Sequence, residues 1–217
     1  MFSLSEENYL KAIFHLQKNP KVGVSTNALA EEMQTKASSV TDMVKKLSDK
    51  NLVVYKKYKG VYLSEAGRHT ALQIVRKHRL WEVFLVEKLN FTWDEVHEVA
   101  EELEHIKSDK LISELDKFLD YPRRDPHGDP IPDAKGHLQI PHKTLLSNLS
   151  VGEQGTLIGV KDTSSEFLKY LDKNHIALGK TIEVLDKEEF DDSMLIQIHD
   201  KRLRVSSLVT LNIYIKP

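Results

Sequence analysis

Histidine and glutamate recur at helical spacing within one short stretch of this 217-residue chain: His97, Glu98, Glu101, Glu102, Glu104 and His105. On a helix, residues three and four apart share a face, so His97, Glu101, Glu104 and His105 are expected to project together. Nineteen residues before His97, His78 and Glu82 form a further pair at i,i+4 spacing. Imidazoles and carboxylates converging from two helices are the donor set of a divalent metal site. Beyond Pro122, the run Arg123-Arg124-Asp125-Pro126-His127-Gly128-Asp129-Pro130-Ile131-Pro132 is too rich in proline and glycine for regular structure. It would present Asp125 and His127 from a rigid loop. Taken singly, each of these residues could be a hydrogen-bonded surface histidine or part of a solvated acidic face. Their coincidence on one stripe, with a matched pair on a neighbouring helix, favours the metal.

The elements that must position these groups are legible around them. Ser64-Glu65-Ala66-Gly67 opens a long helix to about Leu89, with apolar residues Leu72, Val75, Leu80, Val83, Phe84 and Val86, long enough to support a dimer. Thr92 and Glu95 have capping-box spacing for the next helix, which sets the register of His97 to His105. Ser108 caps a further helix through Leu111, Ile112, Leu115, Phe118 and Leu119.

The N-terminal third has a different pattern. Behind a Ser5 cap, Tyr9, Leu10, Ile13, Phe14 and Leu16 predict a helix over 5–17, ending before an Asn19-Pro20 break. Ser25-Thr26 caps a short helix from Asn27 to Met33, and a polar turn leads to a third from Ala37 to Ser48 with apolar face Val40, Met43, Val44 and Leu47. Two short helices joined by such a turn form a helix-turn-helix. Leu52–Tyr55 and Val61–Leu63 then predict a hairpin around the basic tip Lys56-Lys57-Tyr58-Lys59-Gly60, which completes a winged helix. From Lys36 to Tyr62 there are seven lysines against Asp42 and Asp49, a net +5 within a chain of net −2. Lys36, Lys45, Lys46, Lys57 and Lys59 suit phosphate contacts, and Ser38, Ser39, Thr41 and Asp42 could face base edges in a major groove. A lysine-rich solvated face is the plainer account of any one lysine; the whole arrangement points to DNA.

The last third reads as short strands over 156–160, 181–185, 194–198, 202–205 and 211–215, with one helix over 164–174, the pattern of a small barrel. Residues 135–144 form a polar, proline-containing linker. A hydrophobic content of 40% is enough to bury a core, and no apolar run reaches the eighteen residues of a membrane span. The N-terminal residues lack the pattern of a secretory signal, and with no cysteine there is neither disulfide nor thiolate ligand. A soluble, cytoplasmic protein is the expectation.

The chain resembles the metal-dependent transcriptional repressors of the DtxR/MntR family. The matching stretches are Glu7-Asn8-Tyr9-Leu10, Ser38-Ser39-Val40-Thr41, Arg76-Lys77-His78-Arg79-Leu80, Glu101-x-x-Glu104-His105 and Gly128-Asp129-Pro130-Ile131-Pro132, in the family's order and spacing over residues 4–140. Residues 147–217 resemble the SH3-like (FeoA-type) domain that many members carry. The resemblance implies a mainly α fold with a small β barrel. A winged helix-turn-helix would span 1–70, a helical dimerisation and metal-binding domain 71–140, and the SH3-like barrel 147–217. It implies a primary metal site of His78, Glu101, Glu104 and His105. Asn8 stands where members place a metal-binding Met or Asp, and its amide oxygen is a neutral, weaker ligand. Glu101 occupies a position that is cysteine in iron-responsive members and glutamate in manganese-responsive ones. Lys11 stands where one manganese-responsive subgroup has a glutamate, a departure from that subgroup's dinuclear site. A second site is implied at Glu82, Asp125 and His127, joined by His97 and by an acid of the C-terminal domain, Asp162 or Glu166.

The function implied is a homodimeric repressor of manganese or iron uptake genes, activated by Mn²⁺ or Fe²⁺, with Zn²⁺ able to substitute, and bound to double-stranded DNA at a palindromic operator. Two other classes compete. A metalloenzyme would need the second histidine of H-E-x-x-H, absent after His97-Glu98, or a second E-x-x-H beside Glu102-x-x-His105. A metal-independent winged-helix regulator would use the C-terminal domain to sense a protein or small molecule.

Overall fold

The computed structural model describes residues 2–17, 19 and 21–217; Pro20, half of the expected break, lies outside the described residues. The element order is α1 (Leu4–Leu16), α2 (Thr26–Glu32), α3 (Ala37–Asp49), β1 (Val53–Lys56), β2 (Gly60–Leu63), α4 (Glu65–Leu89), α5 (Val96–Leu103) and α6 (Asp109–Phe118). There follow β3 (Thr144–Leu145), a 3₁₀ turn (Leu146–Asn148), β4 (Gln154–Val160), α7 (Ser165–Lys173), β5 (Thr181–Lys187), β6 (Met194–Ile198), β7 (Lys201–Val205), α8 (Ser207–Thr210) and β8 (Ile213–Lys216). The chain forms two compact units. One holds the residues up to Trp81 with Ala100–Glu114 and Pro132–Leu138; the other holds Glu82–Val99, Leu115–Ile131 and Gln139–Pro217.

In the first unit, α1 starts one residue earlier than its pattern suggests. Ser3, not Ser5, is the cap: its hydroxyl accepts from Glu6 N while Glu6 Oε2 accepts from Ser3 N, a reciprocal capping box. Leu10 and Ile13 of α1, Leu29 of α2, Val40, Val44 and Leu47 of α3, Val53 and Val61 of the hairpin and Ile74 of α4 form one core. Each such side chain, fully buried, stabilises by roughly 1.5–3 kcal/mol. The β1–β2 hairpin is extended by a bridge between Val24 and Val61. Gly60, at φ +92, closes the turn there, where a Cβ would meet Val24 O at 2.5 Å. Ser64 caps α4 by accepting from Gly67 N, and Asn90, at φ +59, follows its last turn as the left-handed residue that stops a helix.

In the second unit, antiparallel pairing gives a six-stranded sheet in the order β3-β8-β4-β5-β6-β7. Here the expected barrel is corrected: the sheet is open, because no described ladder joins β3 to β7. Edge strand β3 contributes only two residues, Thr144 and Leu145, both spent on β8. Bulges between Leu157 and Gly159 and between Val184 and Asp186 bend the sheet around a core that includes Leu146, Leu157, Phe167, Leu168, Leu171, Ile182, Ile196, Ile213 and Ile215. Among the described residues no helix is long and apolar enough to cross a membrane.

Candidate metal centre

In the first unit, three helices bring their donors to one place. Glu104, just past α5, has no exposed surface, and Glu7 on α1 and His78 on α4 are buried. Glu104 Oε2 lies 2.7 Å from His78 Nδ1, and Glu101 Oε1 lies 4.0 Å from the same nitrogen. On the other side, His105 Nε2 lies 3.8 Å from Glu104 Oε1. His105 Nδ1 lies 2.6 Å from Glu7 Oε2. A proton on Nδ1, donated to Glu7, leaves the Nε2 lone pair directed at the Glu104 side, the arrangement by which a carboxylate orients a metal-ligating imidazole. Sequence reasoning gives Glu7 no role of its own; its signal is its place four residues before Lys11 on one face of α1.

Lys11 also enters this cluster. Its ammonium donates to Glu101 Oε1 and to both oxygens of Glu104, at 2.7 and 2.8 Å for the latter. Burial pushes the Glu104 carboxyl up, but hydrogen bonding from His78 and the charge of Lys11 outweigh it and hold the group below the ordinary carboxylate range. Asn8 lies on α1 between Glu7 and Lys11 in sequence, three residues before Lys11 on the same helix face. Its Oδ1 is buried without a hydrogen-bond partner, an uncompensated carbonyl of the kind a cation satisfies. Carboxylate, imidazole and amide oxygen are hard or borderline donors, so the residues present fit a divalent first-row ion.

The second unit gathers Glu82, Asp125 and His127, all buried, with one ligand atom of each within 4.8 Å of the others. His127 Nδ1 lies 3.6 Å from Glu82 Oε1, and His97 Nδ1 lies 3.8 Å from the same oxygen, although the His97 side chain is 59% exposed. His127 Nε2 donates to Trp93 O at 2.7 Å, which fixes the tautomer and leaves Nδ1 toward Glu82. Burial pushes the His127 imidazole down; hydrogen bonding and charge from Glu82, with Asp125 behind it, prevail and raise it. Asp125 Oδ1 accepts from the amides of His127 and Asp129, bracing the proline-rich loop. That loop sits against β4: Val160 N donates to His127 O, and Gly128, at φ +91, lies where a Cβ would stand 2.1 Å from Ile158 O.

Asp162 and Glu166 stay outside this cluster. Asp162 Oδ1 accepts from Ser164 N at the start of α7, and Glu166 is exposed on that helix. The contacts between α7 and the segment before α5 instead use two other acids. Asp94 accepts from Ser165 Oγ and pairs with Lys169, and Asp172 accepts from Trp93 Nε1. The expected cap at Thr92 is present in half: Glu95 Oε2 accepts from Thr92 N, and α5 begins after a turn, at Val96.

On α3, Ser38, Thr41, Asp42 and Lys45 are exposed opposite the buried Val40-Val44-Leu47 stripe. Lys36 and Ser39 are exposed at the start of the helix, and Lys57 and Lys59 at the hairpin tip. Lys46 differs from these: with Lys50 it pairs with Glu6 of α1, at 3.2 and 2.6 Å.

Comparison with known proteins places these features in a family. Residues 1–61 match the iron dependent repressor, N-terminal DNA binding domain; residues 64–133 match the iron dependent repressor, metal binding and dimerisation domain; residues 144–217 match the FeoA domain. An uncharacterized HTH-type transcriptional regulator of Methanocaldococcus jannaschii is 36% identical over 118 residues, 54% of this chain and 94% of that protein. The iron-dependent repressor IdeR of Mycobacterium tuberculosis is 32% identical over 58% of this chain, and the match spans 54% of that repressor's length. The solved structure of a manganese-dependent transcriptional repressor in complex with manganese is 36% identical, with a TM-score of 0.86 over 97% of this chain and 98% of that one.

Proposed function

The chain belongs to the iron-dependent repressor family of metal-dependent transcriptional repressors, and from that premise we propose how its residues divide the work. These are regulators and not enzymes. Residues 1–70 bind DNA, residues 71–140 dimerise and bind metal, and residues 147–217 form the FeoA-type module. Two copies present their α3 helices to the half-sites of a palindromic operator in double-stranded DNA, in the cytoplasm, upstream of genes for metal-ion uptake.

Asn8, His78, Glu101, Glu104 and His105 hold the regulatory ion, and Glu82, Asp125 and His127, with His97, hold a second. When bound, the metal supplies a dication that donors from α1, α4 and α5 can share. The one observation that carries this reading is the fully buried Glu104, with His78 at one carboxylate oxygen and His105 near the other. Mn²⁺ is the physiological ion in this reading, with Fe²⁺ the nearest competitor and Zn²⁺ able to substitute. The support is a donor set without sulfur and the likeness, along nearly the whole chain, to a manganese-dependent repressor.

His78 and Glu104 do the protein's share of the switch. A dication held by His78 and Glu104 would need both groups unprotonated, so its affinity would rise with pH. An ion held also by Asn8 would tie α1 to α4 and α5, and would favour one orientation of the DNA-binding helices only to the extent that this arrangement binds it more tightly. The test is fluorescence anisotropy of labelled operator DNA in Mn²⁺ and in EDTA. Mn²⁺ is expected to tighten binding, and Glu104→Ala or His105→Ala to abolish the response; equal affinity in both buffers would falsify the switch.

A further inference from the structure

We propose that Lys11 is a tethered competitor for the regulatory ion: its ammonium and the metal claim the same carboxylate oxygens, so Lys11 must leave for the ion to enter. The inference rests on the metal-site reading above and adds a residue whose effect opposes that of the ligands.

The geometry is specific. Lys11 Nζ, on a side chain only 11% exposed, donates to Glu101 Oε1 and to both oxygens of Glu104. Three of the four carboxylate oxygens of the two acidic ligands are therefore committed to one cation that the chain itself carries. An ammonium at hydrogen-bond distance takes up lone-pair capacity and neutralises charge that a dication would otherwise use, and two cations sharing that space repel. Lysine suits the role, because its charge sits at the end of a flexible stem and can swing out while the stem stays packed.

Lys11 also shares a face of α1 with Asn8, three residues before it, and with Glu7, four before it. The same surface of α1 thus has two mutually exclusive ways to hold Glu101 and Glu104. One is the Lys11 ammonium; the other is an ion to which Asn8 Oδ1, now without a hydrogen-bond partner, contributes. Two discrete arrangements of one helix face are what a switch needs, and their difference in free energy sets the metal concentration at which it turns. Lys11 raises that threshold.

Isothermal titration calorimetry of Mn²⁺ into the full chain and its Lys11→Met variant tests this, with thermal unfolding in EDTA to show that the variant is folded. Met keeps the length and apolar stem and removes the charge. Removing one ammonium from two carboxylate ligands should tighten Mn²⁺ binding by roughly tenfold or more. Equal or weaker binding by the variant, with normal binding by the parent chain, overturns the role of Lys11 and leaves the metal site standing. Absence of Mn²⁺ binding in both overturns the site and the inference together. A second measurement needs no variant: the rate at which an amine-acylating reagent modifies Lys11, read by peptide mass spectrometry with exposed Lys21 as reference. Saturating Mn²⁺ should raise the Lys11 rate several-fold; an unchanged or reduced rate overturns the proposal.

Discussion

His105 and Glu7, ninety-eight residues apart in the chain, meet at 2.6 Å between Nδ1 and Oε2. The contact assigns the two ring nitrogens of His105 separate tasks, one held by Glu7 and the other turned toward Glu104. Glu7 therefore acts through His105. Glu7→Gln should weaken Mn²⁺ binding by about 10–100-fold, the usual cost of losing an outer partner of a metal-ligating histidine, with little change in fold. Calorimetric titration against the parent chain measures it, and an unchanged dissociation constant would exclude the orienting role.

Glu6, one residue earlier, controls acid stability. Its carboxylate is 1% exposed. Burial pushes this group up, but hydrogen bonds from Lys50, the Ser3 amide and Lys46 prevail and bring its pKa from 4.5 to about 2. The folded value lies below the unfolded one, so this stabilisation is complete above pH 4.5 and is lost as pH falls toward 2. Glu6→Gln should cost roughly 1.5–3 kcal/mol at neutral pH and flatten the loss of stability across that acid range. Urea unfolding over the same range decides it; parallel pH curves for the two proteins would count against the assignment.

The hairpin lysines and the α3 face should fail differently on DNA. Replacing Lys57 and Lys59 together with Ala is expected to weaken binding to all sequences alike and to reduce the slope of log affinity against log salt by about two. Thr41→Ala or Asp42→Ala should instead change which operator bases are preferred. Anisotropy over a salt series, repeated on operators with single base changes, separates the two. A salt slope that does not move would remove the hairpin from the interface.

Gly128 places His127. Its φ of +91, and the 2.1 Å that would separate a Cβ there from Ile158 O, leave no room for a side chain. Gly128→Ala should destabilise the second unit by about 1–3 kcal/mol and reduce the bound-metal count at saturation. Chemical denaturation and elemental analysis of dialysed protein supply the two readings, and a variant matching the parent in both would contradict this.

What the sequence reveals and what it withholds follow from the range of the interactions. The winged helix and the helix over Glu65–Leu89 rest on local periodicity and caps, and their bounds lie within a residue or two of the pattern. Helical spacing makes the His97–His105 stretch and the His78–Glu82 pair legible as candidate donors, but the set His78, Glu101, Glu104 and His105 is what the family resemblance implies, and α5 ends at Leu103, before Glu104 and His105. The Glu7–His105 pair and the claim of Lys11 on Glu101 and Glu104 are not legible, since each joins residues about ninety or more positions apart. The apolar period of α1 points to Ser5 as its cap although Ser3 and Glu6 have the box spacing, because that period alone does not distinguish nearby serines. Strand β3 and helix α8 are too short to carry a period; β3 exists through its pairing with β8. Closure of the sheet depends on its edges meeting, which alternation within each strand does not encode.

The donors gathered around Glu104 are oxygen and nitrogen only, in a chain without cysteine. Thiolate ligands climb an oxidation ladder through sulfenic acid and disulfide, and each step removes a donor. Carboxylates and imidazoles have no comparable step under mild oxidants. Reagents that oxidise thiols therefore find no sulfur to attack in this cluster, and its donor set does not depend on the thiol–disulfide state of its surroundings.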